Sequence, residues 1–158
     1  STLTFLLTVT ETGSVNARVS GIGFNTNPET TGGSLVDDAT PTGWNVVLTS
    51  QFPNQFGAID VCLIDNPSTC SGGGNGGVPD GESRTVQLSL NFAGDLTNGS
   101  VTFDNFGVRY QSIVDVESGT SGTGGGTLNM DPPEVPEPST MMLLGTGLMG
   151  LALARRRK

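Results

Sequence analysis

Apolar and polar residues alternate along most of the chain. Thr4 to Thr10 reads Thr-Phe-Leu-Leu-Thr-Val-Thr, which sets Phe5, Leu7 and Val9 on one side. A period of two is that of a strand with one buried face. Ala17 and Val19 keep the period, then at Ser20-Gly21 the phase moves to Ile22 and Phe24. A one-position slip at a glycine predicts a β-bulge. Trp44, Val46 and Leu48 alternate next, followed by Ile59, Val61 and Leu63. Thr85 to Phe92 is the strictest case, with Val86, Leu88, Leu90 and Phe92 apolar and Gln87, Ser89 and Asn91 polar. One face of that strand should be buried and the other wet. Val101 and Phe103 come just after Asn98-Gly99, a dipeptide suited to a type I′ hairpin, and Phe106, Val108 and Tyr110 close the series. About seven short strands, parted by Gly, Pro, Asn and Asp turns, with no helical period before Ser139, predict an all-β domain over residues 1–117. The expected architecture is an antiparallel β-sandwich of jelly-roll type.

Three segments fall outside this pattern. Ser71 to Gly77 is a glycine-rich loop directly after Cys70. Residues 118–138 begin rich in Gly, Ser and Thr and end as Asp131-Pro-Pro-Glu-Val-Pro-Glu-Pro138, a linker that is floppy and then extended. Residues 139–158 form a tail in which sixteen uncharged, mostly apolar residues, Ser139 to Ala154, precede Arg155, Arg156, Arg157 and Lys158. A helix of that length spans ~24 Å at ~1.5 Å per residue. The hydrocarbon core of a bilayer is ~30 Å thick, and long terminal cations reach the headgroups and cover part of the deficit. Ser139 after Pro138 suits an N-cap. The four cations stop the span in the cytoplasm and leave the domain outside. A buried core helix is the competing reading. Four consecutive cations and the lack of any helical partner in the sequence weigh against it. Gly145, Gly147 and Gly150 fit G-x-G-x-x-G by letter. The dinucleotide fingerprint needs a preceding strand and a βαβ unit, and here a proline-rich stretch precedes it. Thr146, Gly150 and Ala154 form a small-residue face suited to close helix packing, set against flexible membrane-helix glycines with no partner.

Composition narrows the chemistry. All fifteen acids lie before Ser139, opposed there only by Arg18, Arg84 and Arg109. Residues 1–138 therefore carry −12 and the tail +4, which gives the whole chain its −8. An acidic domain without lysine argues against nucleic acid, whose phosphates need clustered Lys and Arg. Histidine is absent. Ser-His-Asp and Cys-His mechanisms are excluded with it, as is the usual zinc ligand. Cys62 and Cys70, the only cysteines, are spaced C-x7-C. That spacing fits neither a zinc site nor a C-x-x-C redox motif. A local disulfide made in an oxidising compartment is one reading, and two free thiols the other. Cys62 is out of phase with Val61 and Leu63, so a bridge there should be a surface staple facing away from the main core.

Other candidates are weaker. Asp60, Asp65, Asp104 and Asp115 are strand-adjacent carboxylates of the kind that hydrolyse glycosides in pairs, set against solvated turn acids. Asp65-Asn66, or Asn75 with Asp80 and Glu82, offer oxygen ligands for calcium but miss the EF-hand spacing. Trp44 and Tyr110 suggest a sugar-stacking platform, although both fall in core register. No cofactor is expected.

The tail Val135-Pro-Glu-Pro-Ser-Thr, then a short Leu/Gly/Met span, then Arg-Arg-Arg-Lys, closely resembles the PEP-CTERM sorting signal, with Pro136, Glu137 and Pro138 at the motif itself. The resemblance implies export by a Gram-negative bacterium and handling of the tail by an exosortase, an integral-membrane transpeptidase. It implies a precursor anchored in the inner membrane with its ectodomain in the periplasm, then a protein at the cell surface or outside the cell. Such proteins often accompany exopolysaccharide and biofilm loci. Phe103 to Ile113 also resembles the last strand of many small ectodomains of this kind. The family carries an N-terminal secretion signal, and Ser1-Thr-Leu-Thr-Phe has no cationic region, so the signal has been removed or the sequence is a fragment. The expected role is a non-enzymatic, structural or adhesive surface or matrix protein. The alternative is a carbohydrate-binding module for matrix exopolysaccharide.

Overall fold

The computed structural model describes residues 1–37, 41–65, 69–71, 75–96, 100–114 and 120–126. Within them the chain is all-β and contains no helix. The strands are β1 (Thr2–Thr10), β2 (Arg18–Asn27), β3 (Thr30–Asp37), β4 (Asn45–Phe52), β5 (Gly57–Ile64), β6 (Ser83–Phe92), β7 (Thr102–Gln111) and β8 (Ser121–Gly126). They form two antiparallel sheets, ordered β1-β6-β3 and β4-β5-β2-β7-β8. The chain divides into a compact unit, Ser1–Leu128, and a second unit, Asn129–Lys158, which lies outside the described residues. The helix expected over Ser139–Ala154 falls in that second unit.

The two sheets pack face to face, as the alternation predicted. Val86, Leu88, Leu90 and Phe92 of β6 point inward beside Val19 and Phe24 of β2, Val61 and Leu63 of β5, and Trp44. Phe5 of β1 meets Phe103 of β7 edge-on across the sandwich, with ring centroids 5.5 Å apart. The outer face of the three-stranded sheet is wet. It carries cross-strand hydroxyl pairs such as Thr8–Thr85 at 2.9 Å and Thr10–Ser83 at 2.8 Å. The slip foreseen at Ser20-Gly21 is a break in register between β2 and β7 at that point. A jelly roll is matched in strand number but not in the division into three and five.

Four expectations need correction. β3 was not foreseen, because Thr-Thr-Gly-Gly-Ser-Leu-Val-Asp alternates too little to signal a strand. β8 falls in the stretch read as floppy linker. Ser121 to Gly126 pairs residue by residue with Gln111 to Phe106, so the domain runs past residue 117. Main-chain hydrogen bonds hold this strand where side chains supply almost no pattern. The hairpin expected at Asn98-Gly99 does not pair its flanking strands. β6 lies between β1 and β3, and β7 lies between β2 and β8 in the other sheet, while residues 97–99 are outside the described set.

The fourth correction concerns Ile59, which the alternation placed with Val61 and Leu63. It joins Phe52, Cys62, Ile64 and Cys70 in a second cluster instead. Regular pairing of β5 with β2 ends at Phe24–Val61. Beyond it the Asp60 carboxylate accepts from the Thr26 amide at 2.8 Å, and the Asp60 amide donates to Asn25 Oδ1 at 3.2 Å. Across the hairpin, Thr49 takes a left-handed φ of 47°. Side-chain bonds thus replace ladder bonds, and the tip of the β4–β5 hairpin turns over the outside of its own sheet. Phe52 and Phe56 come to lie edge to face, centroids 5.3 Å apart, over Gly107.

Leu88→Ala should destabilise the domain by about 2–5 kcal/mol, while Ser89→Ala on the wet side should stay within about 0.5 kcal/mol. Denaturant melts of the two variants check the facing, and equal losses would refute it.

Candidate functional site

The outer face of the five-stranded sheet holds the chemically distinctive groups. β5 ends in Cys62-Leu63-Ile64, with Asp65 directly after it, all buried. A continuous apolar run is the signature of a strand covered on both faces. The outer cover comes from Phe52, Phe56 and Cys70, while Val78 bridges to Val19 beside β2: the Val19 amide donates to the Val78 carbonyl at 2.9 Å, and the Val78 amide donates to the Val19 carbonyl at 2.8 Å. Gly77 donates its amide to the Thr42 carbonyl. Cys62 and Cys70 are bonded to each other, their α-carbons 6.1 Å apart. Cys62 faces away from the main core, as its phase required. The surface staple is corrected to a buried one, because both cysteines are fully enclosed by the second cluster.

Beside this bridge lies a cluster of three charges. Arg18 Nη1 donates to Asp65 Oδ2 at 2.9 Å, and Arg18 Nη2 donates to Gln111 Oε1 at 2.9 Å. Arg109 stands on the strand next to β2, opposite Gly21, with only 9% of its surface exposed. Burial holds its guanidinium pKa below the usual arginine value, and the Asp65 charge opposes that shift. Asp65 Oδ1, Arg109 Nε and Arg109 Nη1 are buried without a hydrogen-bond partner. The Asp65 carboxylate thus pairs with one guanidinium and acts on a second. Arg18 and Gln111 open onto a polar cleft of about 450 Å³, whose other walls are Asn75, Ser112, Thr120 and Ser121. That volume lies in the range of small-ligand sites. β8 supplies part of this wall, so the cleft needs the strand that was read as linker.

The candidates from sequence disperse. Asp60 is spent on the β2 backbone, Asp104 is exposed, and Asp115 lies outside the described residues, as does Asn66. Trp44 is buried in the main core and Tyr110 packs half-buried against it, so the two do not form an exposed platform. Asn75 lines the cleft, Glu82 pairs with Arg84, and Asp80 meets Glu11. Among the described residues no three His, Cys, Asp or Glu side chains converge on one point. Pro136, Glu137, Pro138, Arg155, Arg156, Arg157 and Lys158 lie outside the described residues. The Arg18–Asp65–Arg109 cluster was missed. Its signal was an arginine between Val108 and Tyr110, at the outward position of a strand whose outer side is not wet.

Glu11 and Asp80 form a second ionisable pair where β1 ends. Glu11 Oε1 accepts from the Gly13 amide at 2.9 Å and Oε2 from the Gly81 amide at 3.4 Å. The Gly13 bond is the main cause that lowers the Glu11 pKa; burial opposes it. The hydrogen bond to Glu11, with burial and repulsion from it, raises the Asp80 pKa.

Residues 134–158 match the family model described as the PEP-CTERM protein-sorting motif. The match covers the tail that carried the resemblance and leaves the β-domain untouched. No curated protein and no solved structure matches the chain. A tail of this kind marks an exported protein that an exosortase processes from a membrane-anchored precursor.

Asp65→Ala should cost about 3–5 kcal/mol, because it removes the carboxylate that Arg18 pairs with and that lies near the buried Arg109 guanidinium. Asp104→Ala should stay within about 0.5 kcal/mol. Thermal or denaturant melts distinguish these outcomes, and equal losses would remove Asp65 from the centre of the cluster. On acidification, Asp80 should take up its proton above the ordinary aspartate range and Glu11 below the ordinary glutamate range. The stability owed to ionised Glu11 is full above the unfolded glutamate pKa and is lost as pH falls through the lowered value. Carboxyl chemical shifts followed against pH give both midpoints, and the reverse order would contradict the pairing.

Proposed function

We propose that this chain is a surface or matrix protein of a Gram-negative bacterium whose β-sandwich has a structural or adhesive role and no enzymatic one. The observation that carries this reading is the sorting-motif match at residues 134–158 of a chain whose described residues form a disulfide-stapled sandwich. Residues 139–158 anchor the precursor in the inner membrane, with the sandwich in the periplasm. The exosortase reads Pro136-Glu137-Pro138 and removes the helix and its basic end, Arg155 to Lys158. The released domain then sits at the cell surface or in the biofilm matrix. The acidic surface keeps it soluble there, and the Cys62–Cys70 bridge fits an oxidising compartment.

The polar cleft favours a second reading, a carbohydrate-binding module for matrix exopolysaccharide. Its walls offer the amides of Asn75 and Gln111, the hydroxyls of Ser112, Thr120 and Ser121, and the Arg18 guanidinium. Such groups hydrogen-bond sugar hydroxyls, and the guanidinium also pairs with a sugar carboxylate.

Mass spectrometry of protein from cells with the exosortase should find no peptide covering Leu143 to Lys158. Cells lacking the enzyme should retain that peptide in the membrane fraction. Released protein with an intact C-terminus would sink the sorting mechanism. A glycan array probed with the protein separates the two roles. Binding that Gln111→Ala reduces tenfold or more selects the binding module, and no binding leaves the structural role.

A further inference from the structure

We infer that β1 is a self-pairing edge, through which two copies of this chain join their three-stranded sheets into one six-stranded sheet. An exposed edge strand offers unpaired amides and carbonyls to any other strand, and proteins ordinarily blunt such edges with bulges, charges, prolines or short length. Three of the four sheet edges here are blunted. β3 breaks register with β6 twice, between Thr30 and Gly32 and between Leu35 and Asp37, and ends on a charge. β4 carries the left-handed Thr49. β8 is only six residues long. β1 has none of these devices. It runs nine residues, Thr2 to Thr10, in unbroken register with β6, and contains no charge, proline or glycine.

The bonds at its two ends show which groups are free. The Phe92 amide donates to the Ser1 carbonyl at 2.8 Å, and the Glu11 amide donates to the Glu82 carbonyl at 2.9 Å. Odd-numbered residues therefore turn toward β6. In an antiparallel ladder the intervening residues turn the other way. Thr2, Thr4, Leu6, Thr8 and Thr10 thus present both amide and carbonyl to the open edge, which has no strand partner among the described residues.

The sequence of β1 names its occupant. Read outward from Leu6, the strand is chemically the same in both directions: Phe5 and Leu7, Thr4 and Thr8, Leu3 and Val9, Thr2 and Thr10. A two-fold axis through Leu6 sets each of these residues opposite its counterpart in the second copy. Five hydrogen-bonded pairs form, at Leu6 with itself and at Thr4–Thr8 and Thr2–Thr10 twice each. The threonine pairs repeat the hydroxyl contacts that β1 already makes with β6. Phe5, Leu7, Leu3 and Val9, half-buried in one copy, extend the inner core across the junction. Leu6, 69% exposed, gains an apolar neighbour. Such a contact is isologous and closes at two copies.

Cysteine crosslinking of the full chain in detergent tests the register, and the positions are solvent-facing, so folding is not at risk. Paired residues lie ~5.5 Å apart at Cα, within disulfide reach. Leu6→Cys should give a disulfide-linked dimer on mild oxidation. Thr4→Cys alone and Thr8→Cys alone should not, since each thiol is ~14 Å from its own copy along the strand. An equal mixture of Thr4→Cys and Thr8→Cys chains should crosslink. This pattern separates β1 pairing from association through the tail, which would not distinguish these positions. No dimer with Leu6→Cys, no product from the mixture, or equal crosslinking at all three positions overturns the inference.

Discussion

β2 has only hydrogen in place of side chains at Gly21 and Gly23, and the outer half of the molecule rests on that fact. A methyl group at Gly23 would run into Ile59 and Phe52, and one at Gly21 into Ile64. Gly107 on the neighbouring strand is in the same position beneath Phe52 and Phe56. The central strands therefore form a low floor on which the bent β4–β5 hairpin can lie. The centre of the five-stranded sheet, at β2 and β5, is covered on both faces in consequence, although antiparallel sheets commonly leave one face to water. The disulfide is enclosed by this second layer, and the charge cluster lies on the same side of the sheet.

The charge cluster is a cost set inside that layer. Burying a guanidinium without hydrogen bonds is unfavourable, and Arg109 leaves two nitrogens unpaired. Asp65 offsets part of it, and its own Oδ1 is unpaired too. An apolar residue at position 109 would pack at lower cost. Folding stability alone therefore does not account for the arginine.

Much of the inner sandwich was legible in the chain. The facing of β6, the alternation of β1 and the bulge at Ser20-Gly21 each follow from a period of two and one glycine. What could not be read has a common physical origin. β8 is held by main-chain bonds, and Gly-Thr-Gly-Gly-Gly reads as linker because its side chains carry no pattern. Ile59 obeys the period locally but changes sides, because the Asp60 carboxylate takes a place in the β2 ladder that only the tertiary pairing creates. The cleft escaped for both reasons together. One wall is β8, and Arg18 and Gln111 come from strands that become neighbours only in the folded sheet. The tail, by contrast, is read in order along the chain and needs no fold to be recognised.

Strand connectivity also sets a timetable. Only β4–β5 and β7–β8 pair with their sequence neighbours; β1 waits for β6, whose first residue is Ser83. Non-local pairing of this kind forms slowly, since a long loop must close before any contact rewards it. For an exported chain, the N-terminal strand crosses the membrane first and stays without its partner until most of the domain has followed. β2, β4 and β5 can pair once Ile64 is in place, but the sandwich closes only after β6 has followed. A chain that does not fold early is the kind that a narrow translocation channel can pass.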